Sequence, residues 1–478
     1  MDRATEPPGD EARGGWELLV EAKLRRGRMR RDLAGAMRSA IQEGRLAAGT
    51  VLPASRRLAA QVGVSRGVVS DAYDQLASEG YLRVAPRAAP VVSAVAGVPP
   101  PTTETPAASW RYDFNPVTPE VALFPRRGWA RAVDRALRQA PDAALDYGDH
   151  RGRPELRAAL AAYLARVRGA RADPGQIIIT QGFTQALSLI CQVVAASGRA
   201  TVAVETPSHP GLWETVRRAG LRLAGCPVDA DGLNPATLAD LEADAVVAAP
   251  AHQFPTGAVL SASRRHALIE WATTHDGLII EDDYDAEFRY DRAGVGAVQG
   301  LDPSRVAHVG TTAKTLAPAL RLGWITAPAW LASQLPEAKS AADSGSPAIS
   351  QLALAGLITS GEYERHIVRA RHAYRGRRDL LLHALSEVLP GLRPTGAAAG
   401  MQLLLPLPPG TDDIAIADTA ACHGIHLTPL SPMHLAPSPD RGLLLGVGRL
   451  AEHRIPGAVR ALAAVLAQTG AAPARATP

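Results

Sequence analysis

Lysine is rare in this chain: Lys23, Lys314 and Lys339 stand among 51 basic side chains, all the others arginine. Lys314 lies in "VGTTAKTLAPALRLGW" at 309–324. Arginine would serve a plain ion pair there and leucine a core. An amine points instead to condensation with an aldehyde, for which its pKa must be lowered and its partner held. Other stretches carry groups suited to holding that partner. "TQGFTQALSL" (180–189) reads as a strand end, then Gly182, then a helix opening on Phe183 and Thr184. "LIIEDDYDAEFRY" (278–290) is an apolar strand ending in acids, with Asp282 and Tyr284 two residues apart. Thr311 precedes Lys314 by three residues, and Arg321 follows it by seven. "ETPSHPG" (205–211) sets His209 just beyond another strand.

Together these meet the needs of pyridoxal phosphate. Its phosphate calls for hydroxyls, an arginine and a helix N-terminus, here Thr184, Thr311, Arg321 and the start of the helix after Gly182. Its pyridine nitrogen calls for an acid that keeps it protonated, here Asp282. Tyr284 can hydrogen-bond the phenolic oxygen, and His209 can stack on the ring.

The elements that must position these groups alternate along residues 113–470. "QIIIT", "TVAVE", "AVVAAP", "GLIIED", "VAHVG" and "GWITA" read as strands. Segments 183–196, 210–219, 261–275 and 352–386 read as helices. The alternation predicts an α/β domain, a largely parallel sheet with helices on both faces.

Residues 16–93 read differently. The apolar spacing of Leu33, Met37 and Ile41 predicts a helix over 29–44, ended by Gly44. A short helix follows Ser55 and closes at Gly63. Ser65 is placed to cap a third, along which Val68, Val69, Ala72, Tyr73 and Leu76 form one stripe, and Gly80 ends it. "YLRVAPRAAPVVS" then reads as an extended wing. Between 94 and 112 the chain is rich in Pro, Ala and Thr and reads as a linker.

The net charge is +4, and residues 1–100 hold all of that excess. A basic small domain joined to a neutral large one points to a polyanion partner for the first. The first turn of the third helix offers Ser65, Arg66, Gly67 and Ser70 to base edges and phosphates. Arg56 and Arg57 are placed for phosphates. Arg83 and Arg87 lie along the wing.

No apolar leader or membrane-length run is apparent, and Cys191, Cys226 and Cys422 make neither a disulfide framework nor a zinc pattern. A cytoplasmic protein is the expectation. "CHGIH" (422–426) is read without a metal role, because no second cluster complements it. The arginines of 364–381 read as a solvated or intersubunit face.

The stretch "GRLAAGTVLPASRRLAAQVGVSRGVVSDAYDQLASEGYL" resembles the winged helix-turn-helix of GntR-type regulators, with "APRAAP" where that family usually has a Gly-rich wing tip. With "LFPRRGWARAVDRAL", "HQFPTG" and "IIEDDYDAEFRY", the chain over 29–465 resembles the MocR/GabR subfamily, in which the winged helix is fused to a fold-type I aminotransferase-like domain. The resemblance implies a bacterial, nucleoid-associated homodimer that binds operator DNA. It implies pyridoxal phosphate held as an internal aldimine on Lys314, with Asp282 at the pyridine nitrogen, Tyr284 at the phenolic oxygen, and Arg321 and Thr311 at the phosphate. The signal is then the cofactor itself, or an amine or amino-acid-like ligand that displaces Lys314.

Four departures bear on activity. His209 stands where the family often has Tyr, and Gln181 and Phe183 replace small polar residues of the cradle. Phe254 replaces the Asn of an "NPTG" string. Leu444 fills the place of the arginine that binds substrate carboxylates, with Arg449 five residues on. These favour a sensor. The alternative is an active aminotransferase with an accessory DNA-binding module.

Overall fold

The computed structural model describes residues 25, 27–85, 88–94, 110–290, 295–396 and 398–471, in two compact units, Met1–Ala108 and Ser109–Pro478. Arg87, Lys23 and most of the Pro-rich 94–112 stretch lie outside the described residues.

In the first unit, α1 (Met29–Gln42), α2 (Ser55–Val62) and α3 (Arg66–Ser78) are followed by β1 (Leu82–Arg83) and β2 (Val91–Val92), paired antiparallel. Leu33, Met37, Ile41, Leu58, Val69, Leu76, Leu82 and Val92 form its core. Helix α2 stops because Gly63 takes a left-handed conformation (φ 71°) that other residues rarely adopt. Two residues on, the Ser65 hydroxyl accepts the Val68 N–H at 3.4 Å and starts α3. Ser65→Ala is expected to cost this unit about 1 kcal/mol. The check is a lower urea midpoint for hydrogen exchange of amides within 29–78. The wing is shorter than its extended reading, with two residues in each strand.

The second unit opens with β3 (Tyr112–Asp113), α4 (Arg126–Gln139) and α5 (Pro154–Arg168). Its main sheet uses β4 (Ile177–Thr180), β5 (Thr201–Thr206), β6 (Arg222–Asp229), β7 (Gly232–Leu233), β8 (Ala245–Ala248), β9 (Leu278–Asp283), β10 (Val306–Thr311) and β11 (Gly323–Thr326). The order is β4-β11-β10-β9-β8-β5-β6-β7. Strands β10, β9, β8, β5 and β6 run parallel, β11 is antiparallel to both its neighbours, and β7 is antiparallel to β6. The predicted strands are all present; β6 and β7 were not foreseen.

Helices α6 (Phe183–Ala196), α7 (Pro210–Arg218) and α8 (Ala262–Thr274) match their predicted spans closely. The single helix read over 352–386 is two. After α9 (Ala329–Asp343), the chain forms α10 (Ala348–Thr359) and α11 (Glu362–Val388), broken at Gly361, whose φ is 70°. The period-2 geometry of β4 sends Ile178 to one face of the sheet with Ile190 and Ile280, and Ile177 and Ile179 to the other with Leu160 and Leu354.

A smaller sheet, β12 (Gln402–Pro406) with β15 (Gly442–Gly446) and β14 (Thr428–Pro429), packs with α11, α12 (Asp413–Cys422) and α13 (Ile455–Gln468) around Phe114, Phe288 and Tyr374. Strand β13 (Ile425–His426) pairs with β3. No helix among the described residues is long and apolar enough to cross a membrane.

Candidate functional site

The carboxyl ends of β4, β5, β9 and β10 carry the predicted residues, the edge at which open α/β sheets bind ligands. At the end of β4 the chain turns through Gly182 (φ 94°) into α6. A Cβ there would lie 3.5 Å from the Arg321 guanidinium, and one on Gly323 would sit 2.8 Å from the Gly182 Cα. The glycines let the Arg321 guanidinium and the β11 backbone approach the N-terminus of α6 closely, an arrangement suited to an anion. Thr184 is exposed in the first turn of α6. The Phe183 ring is partly buried against the core that α6 shares with the sheet, which leaves only its backbone facing the cradle.

Beside the cradle the second rare lysine finds its purpose. Lys339 is fully buried and donates to Asp343 at 2.8 Å. Asp343 also accepts from the side chains of Gln181 (3.0 Å) and Gln185 (2.6 Å) and from the Gly345 N–H (2.9 Å). Gln181, one of the two residues that replace small polar ones there, thus joins Gln185 in tying the cradle to Asp343 at the end of α9.

At the end of β9, successive residues face opposite ways. Asp282 faces the site, and its Oδ1 is buried with no hydrogen-bond partner. Burial, then the charges of Asp283, Glu205 and Asp285, drive its pKa well above the usual carboxylate range, against the pull of Lys314. Asp283 turns away, into a bidentate contact with Arg168 (2.8 and 3.0 Å) and a 2.7 Å contact with His308 Nε2.

Thr311 closes β10, donating to the Leu322 carbonyl and accepting the Ala313 N–H at 3.1 Å. Lys314 follows, and its amine donates to the Val117 carbonyl. Burial pushes that amine below the ordinary lysine value, partly offset by Asp285 and Asp282. The Val117 carbonyl is presented by a loop in which the Asn115 side chain accepts the Val117 and Thr118 N–H groups, both at 2.9 Å. His209 caps α7 by accepting the Gly211 N–H at 3.0 Å, and its ring lies 6.1 Å from that of Phe254. Burial, then the Lys314 charge, lowers its pKa.

Sequence reasoning missed the surroundings of Tyr284. Its hydroxyl lies 3.1 Å from His252 Nδ1 and accepts from Gln402 Nε2 at 3.2 Å. His252 Nδ1 is in turn 3.0 Å from Asp285. The signal was present in the His of "HQFPTG" and in the third acid of "DDYD". Glu205, buried at the end of β5, accepts the Ala249 N–H, and burial raises its pKa to about 8.

Other candidates fall outside this cluster. Leu444 is fully buried opposite Leu404. Arg449 pairs with Asp113 at 3.1 Å, beside His426. Among the described residues no cluster suits a metal ion, and Cys422 is exposed. The 364–381 arginines are not one solvated face: Arg371 donates to the Glu287 carbonyl, and Arg377 to Gly448 and Glu120. Arg365 and Arg369 line a recess of about 520 Å³ with Arg126, Arg127 and Arg131. In the first unit Arg56, Arg57, Ser65, Arg66 and Gly67 are exposed and Ser70 is partly so. Arg66 Nε also reaches Ser55 Oγ at 3.4 Å, tying α3 to α2.

The pyridoxal phosphate requirements fit these residues. An unpartnered buried carboxylate oxygen, a desolvated lysine and a glycine-lined helix N-terminus beside an arginine stand at one sheet edge.

A winged helix-turn-helix followed by an aminotransferase fold defines a class of regulator built on an enzyme scaffold. Residues 30–92 match the family described as bacterial regulatory proteins, gntR family, and residues 123–444 match aminotransferase class I and II. The HTH-type pyridoxine biosynthesis transcriptional regulator PdxR of Corynebacterium glutamicum is 32% identical, over 87% of this chain and 91% of its own. The probable rhizopine catabolism regulatory protein MocR of Rhizobium meliloti is 31% identical, over 87% and 90%. An archaeal alanine:glyoxylate aminotransferase superposes with a TM-score of 0.70 at 29% identity, over 75% of this chain and 91% of that one. The chain belongs to the MocR/GabR subfamily of GntR transcription regulators.

Proposed function

We propose that this regulator takes pyridoxal phosphate onto Lys314 and converts that event, or the arrival of an amine that displaces the lysine, into a change in operator affinity. The observation that carries the reading is the buried, unpartnered Asp282 Oδ1 close enough to Lys314 for their charges to interact. An acid left without a partner in a buried site calls for a donor from a ligand. Asp282 would hold the pyridine nitrogen, Tyr284 the phenolic oxygen, and the α6 N-terminus with Thr184, Thr311 and Arg321 the phosphate. When bound, the cofactor supplies a reactive aldehyde and an electron-withdrawing ring. Lys314 supplies a desolvated amine, and the Val117 carbonyl holds that amine in place.

Sensing is favoured over turnover. Phe254 offers no hydrogen bond, Leu444 cannot bind a carboxylate, and Arg449 is engaged by Asp113. The winged helix binds operator DNA through Arg56, Arg57, Ser65, Arg66, Gly67 and Ser70, in a cytoplasmic homodimer. A ligand shifts operator binding only through unequal affinity for the DNA-competent and DNA-incompetent arrangements.

The test is titration of the protein onto fluorescent DNA from its own upstream region, with and without pyridoxal phosphate. Wild type is expected to change affinity on adding cofactor by about tenfold, a coupling of about 1.4 kcal/mol. Lys314→Ala should bind DNA but not respond, and Arg66→Ala should bind weakly in both conditions. Equal cofactor responses in wild type and Lys314→Ala would overturn the reading.

A further inference from the structure

Tyr284 sits in a hydrogen-bond arrangement with a direction. Asp285 is 1% exposed and His252 2%. The Asp285 Oδ2 to His252 Nδ1 contact of 3.0 Å joins a carboxylate, which only accepts, to a ring nitrogen that must therefore carry the proton. A protonated Nδ1 cannot accept from the Tyr284 hydroxyl 3.1 Å away; it can only donate toward it. Gln402 Nε2, at 3.2 Å, is also a donor. Both protein neighbours of the tyrosine oxygen thus give protons to it, and the hydroxyl's own proton is left for an acceptor elsewhere.

The backbone is shaped around this pair. Gly400 has φ 70°, and a Cβ on it would lie 2.0 Å from His252 Cε1 and 2.8 Å from Asp285 Oδ2. The segment that begins at Gly400 delivers Gln402 two residues later. The Tyr290 hydroxyl and the Phe288 carbonyl pin Gly400 at 2.7 and 2.8 Å. Asp285, Asp282 and Glu205 act on Tyr284, and Asp285 and Asp282 act on Lys314, whose charge in turn acts on His209.

We propose that the Asp285–His252 pair, with Gln402, is a proton-directing device that forces Tyr284 to act as a donor into the cofactor site. Phe254, in "HQFPTG", has no polar group to share that task. The device makes His252 and Asp285 positioning residues, acting through Tyr284. The inference rests on the cofactor reading above and adds to it the source of the tyrosine's polarity.

The measurable consequence is the pH midpoint of the bound cofactor's visible band. A hydrogen bond donated to the phenolic oxygen competes with the neighbouring nitrogen's proton for the same lone pairs, so removing it raises the midpoint. Hydrogen bonds to charged groups support a shift of about one pH unit or more. Tyr284→Phe should show the full rise. Asp285→Asn should move toward it, because an asparagine amide can donate to Nδ1 and free the other tautomer to accept the tyrosine proton. His252→Leu should also rise, and His252→Asn, whose amide nitrogen can occupy the place of Nδ1, should return the midpoint toward wild type. Thermal melting of each variant separates misfolding from loss of direction, and the His252→Asn rescue stands if His252→Leu fails to fold.

Wild-type midpoints in folded Asp285→Asn and His252→Leu, beside a raised midpoint in Tyr284→Phe, overturn the device and leave the cofactor reading standing. A wild type with no Lys314-dependent band overturns both.

Discussion

Lys314→Ala protein mixed with pyridoxal phosphate is expected to show only the spectrum of free cofactor, and Lys314→Arg the same, while wild type develops a distinct visible band. The arginine variant is the sharper of the two. It keeps a cation beside Asp282 and Asp285, so a site that used Lys314 only for its charge would survive the change. A nucleophilic amine has no such substitute, because guanidinium stays protonated throughout the accessible pH range. At an ordinary lysine pKa roughly one amine in 2,500 is neutral at pH 7. Burial of Lys314 raises that fraction by disfavouring the charged form. The band is expected to disappear completely in both variants, and a titration followed by absorbance decides it. A band that persisted in Lys314→Arg would assign the cation, not covalent attachment, to this position.

The parts of the site visible in sequence are those whose neighbours along the chain carry their own label. Lys314 stood out by rarity, Asp282 and Tyr284 by following an apolar strand, and Gly182 by separating a strand from a helix. Helix α6 was read at 183–196, where the structure has it, because glycine marks one end and an unbroken apolar pattern the rest. Strand β6 escaped notice because Arg222, Gly225, Pro227 and Asp229 interrupt its apolar residues and only Ala224 and Cys226 are buried. The break between α10 and α11 hid because Ser360 and Gly361 interrupt helical spacing for only two residues. The His252–Asp285–Tyr284–Gln402 set is illegible locally for a different reason. His252 and Gln402 reach Tyr284 from 32 and 118 residues away, His252 from beyond β8 of the main sheet and Gln402 from β12 of the smaller one. Lys339 is as rare as Lys314 but its burial is structural, against Asp343, so rarity alone does not mark a reactive amine.

Arg168→Met is expected to cost about 3–5 kcal/mol, the usual result of leaving one partner of a buried ion pair behind. Arg168 and Asp283 are 2% and 6% exposed in their side chains, and Arg168 also donates to the Val295 carbonyl. The loss should depend on pH in a definite sense. Burial works against the charge on Asp283, but Arg168 and His308 overcome it and depress its pKa. Its contribution is therefore present above the unfolded value of about 4 and is lost only as pH falls through the depressed folded value. Burial also works against a charged His308, yet its hydrogen bond to Asp283 raises its pKa. That contribution is full below about pH 6.5 and is lost as pH rises through the raised folded value. In the wild type Arg168 still neutralises Asp283 after His308 deprotonates. In Arg168→Met neither of the cations that touch Asp283 remains once that happens, only the more distant Arg265, so the variant's melting temperature should fall more steeply than wild type's above pH 6.5. Calorimetry at pH 5.5 and 8 measures the difference, and parallel pH profiles would remove His308 from the argument. Asp282 immediately precedes Asp283 on the same strand, so the variant should also bind pyridoxal phosphate more weakly at pH 8 than at pH 5.5 relative to wild type, because the strand that aims Asp282 has lost its anchor on the opposite face.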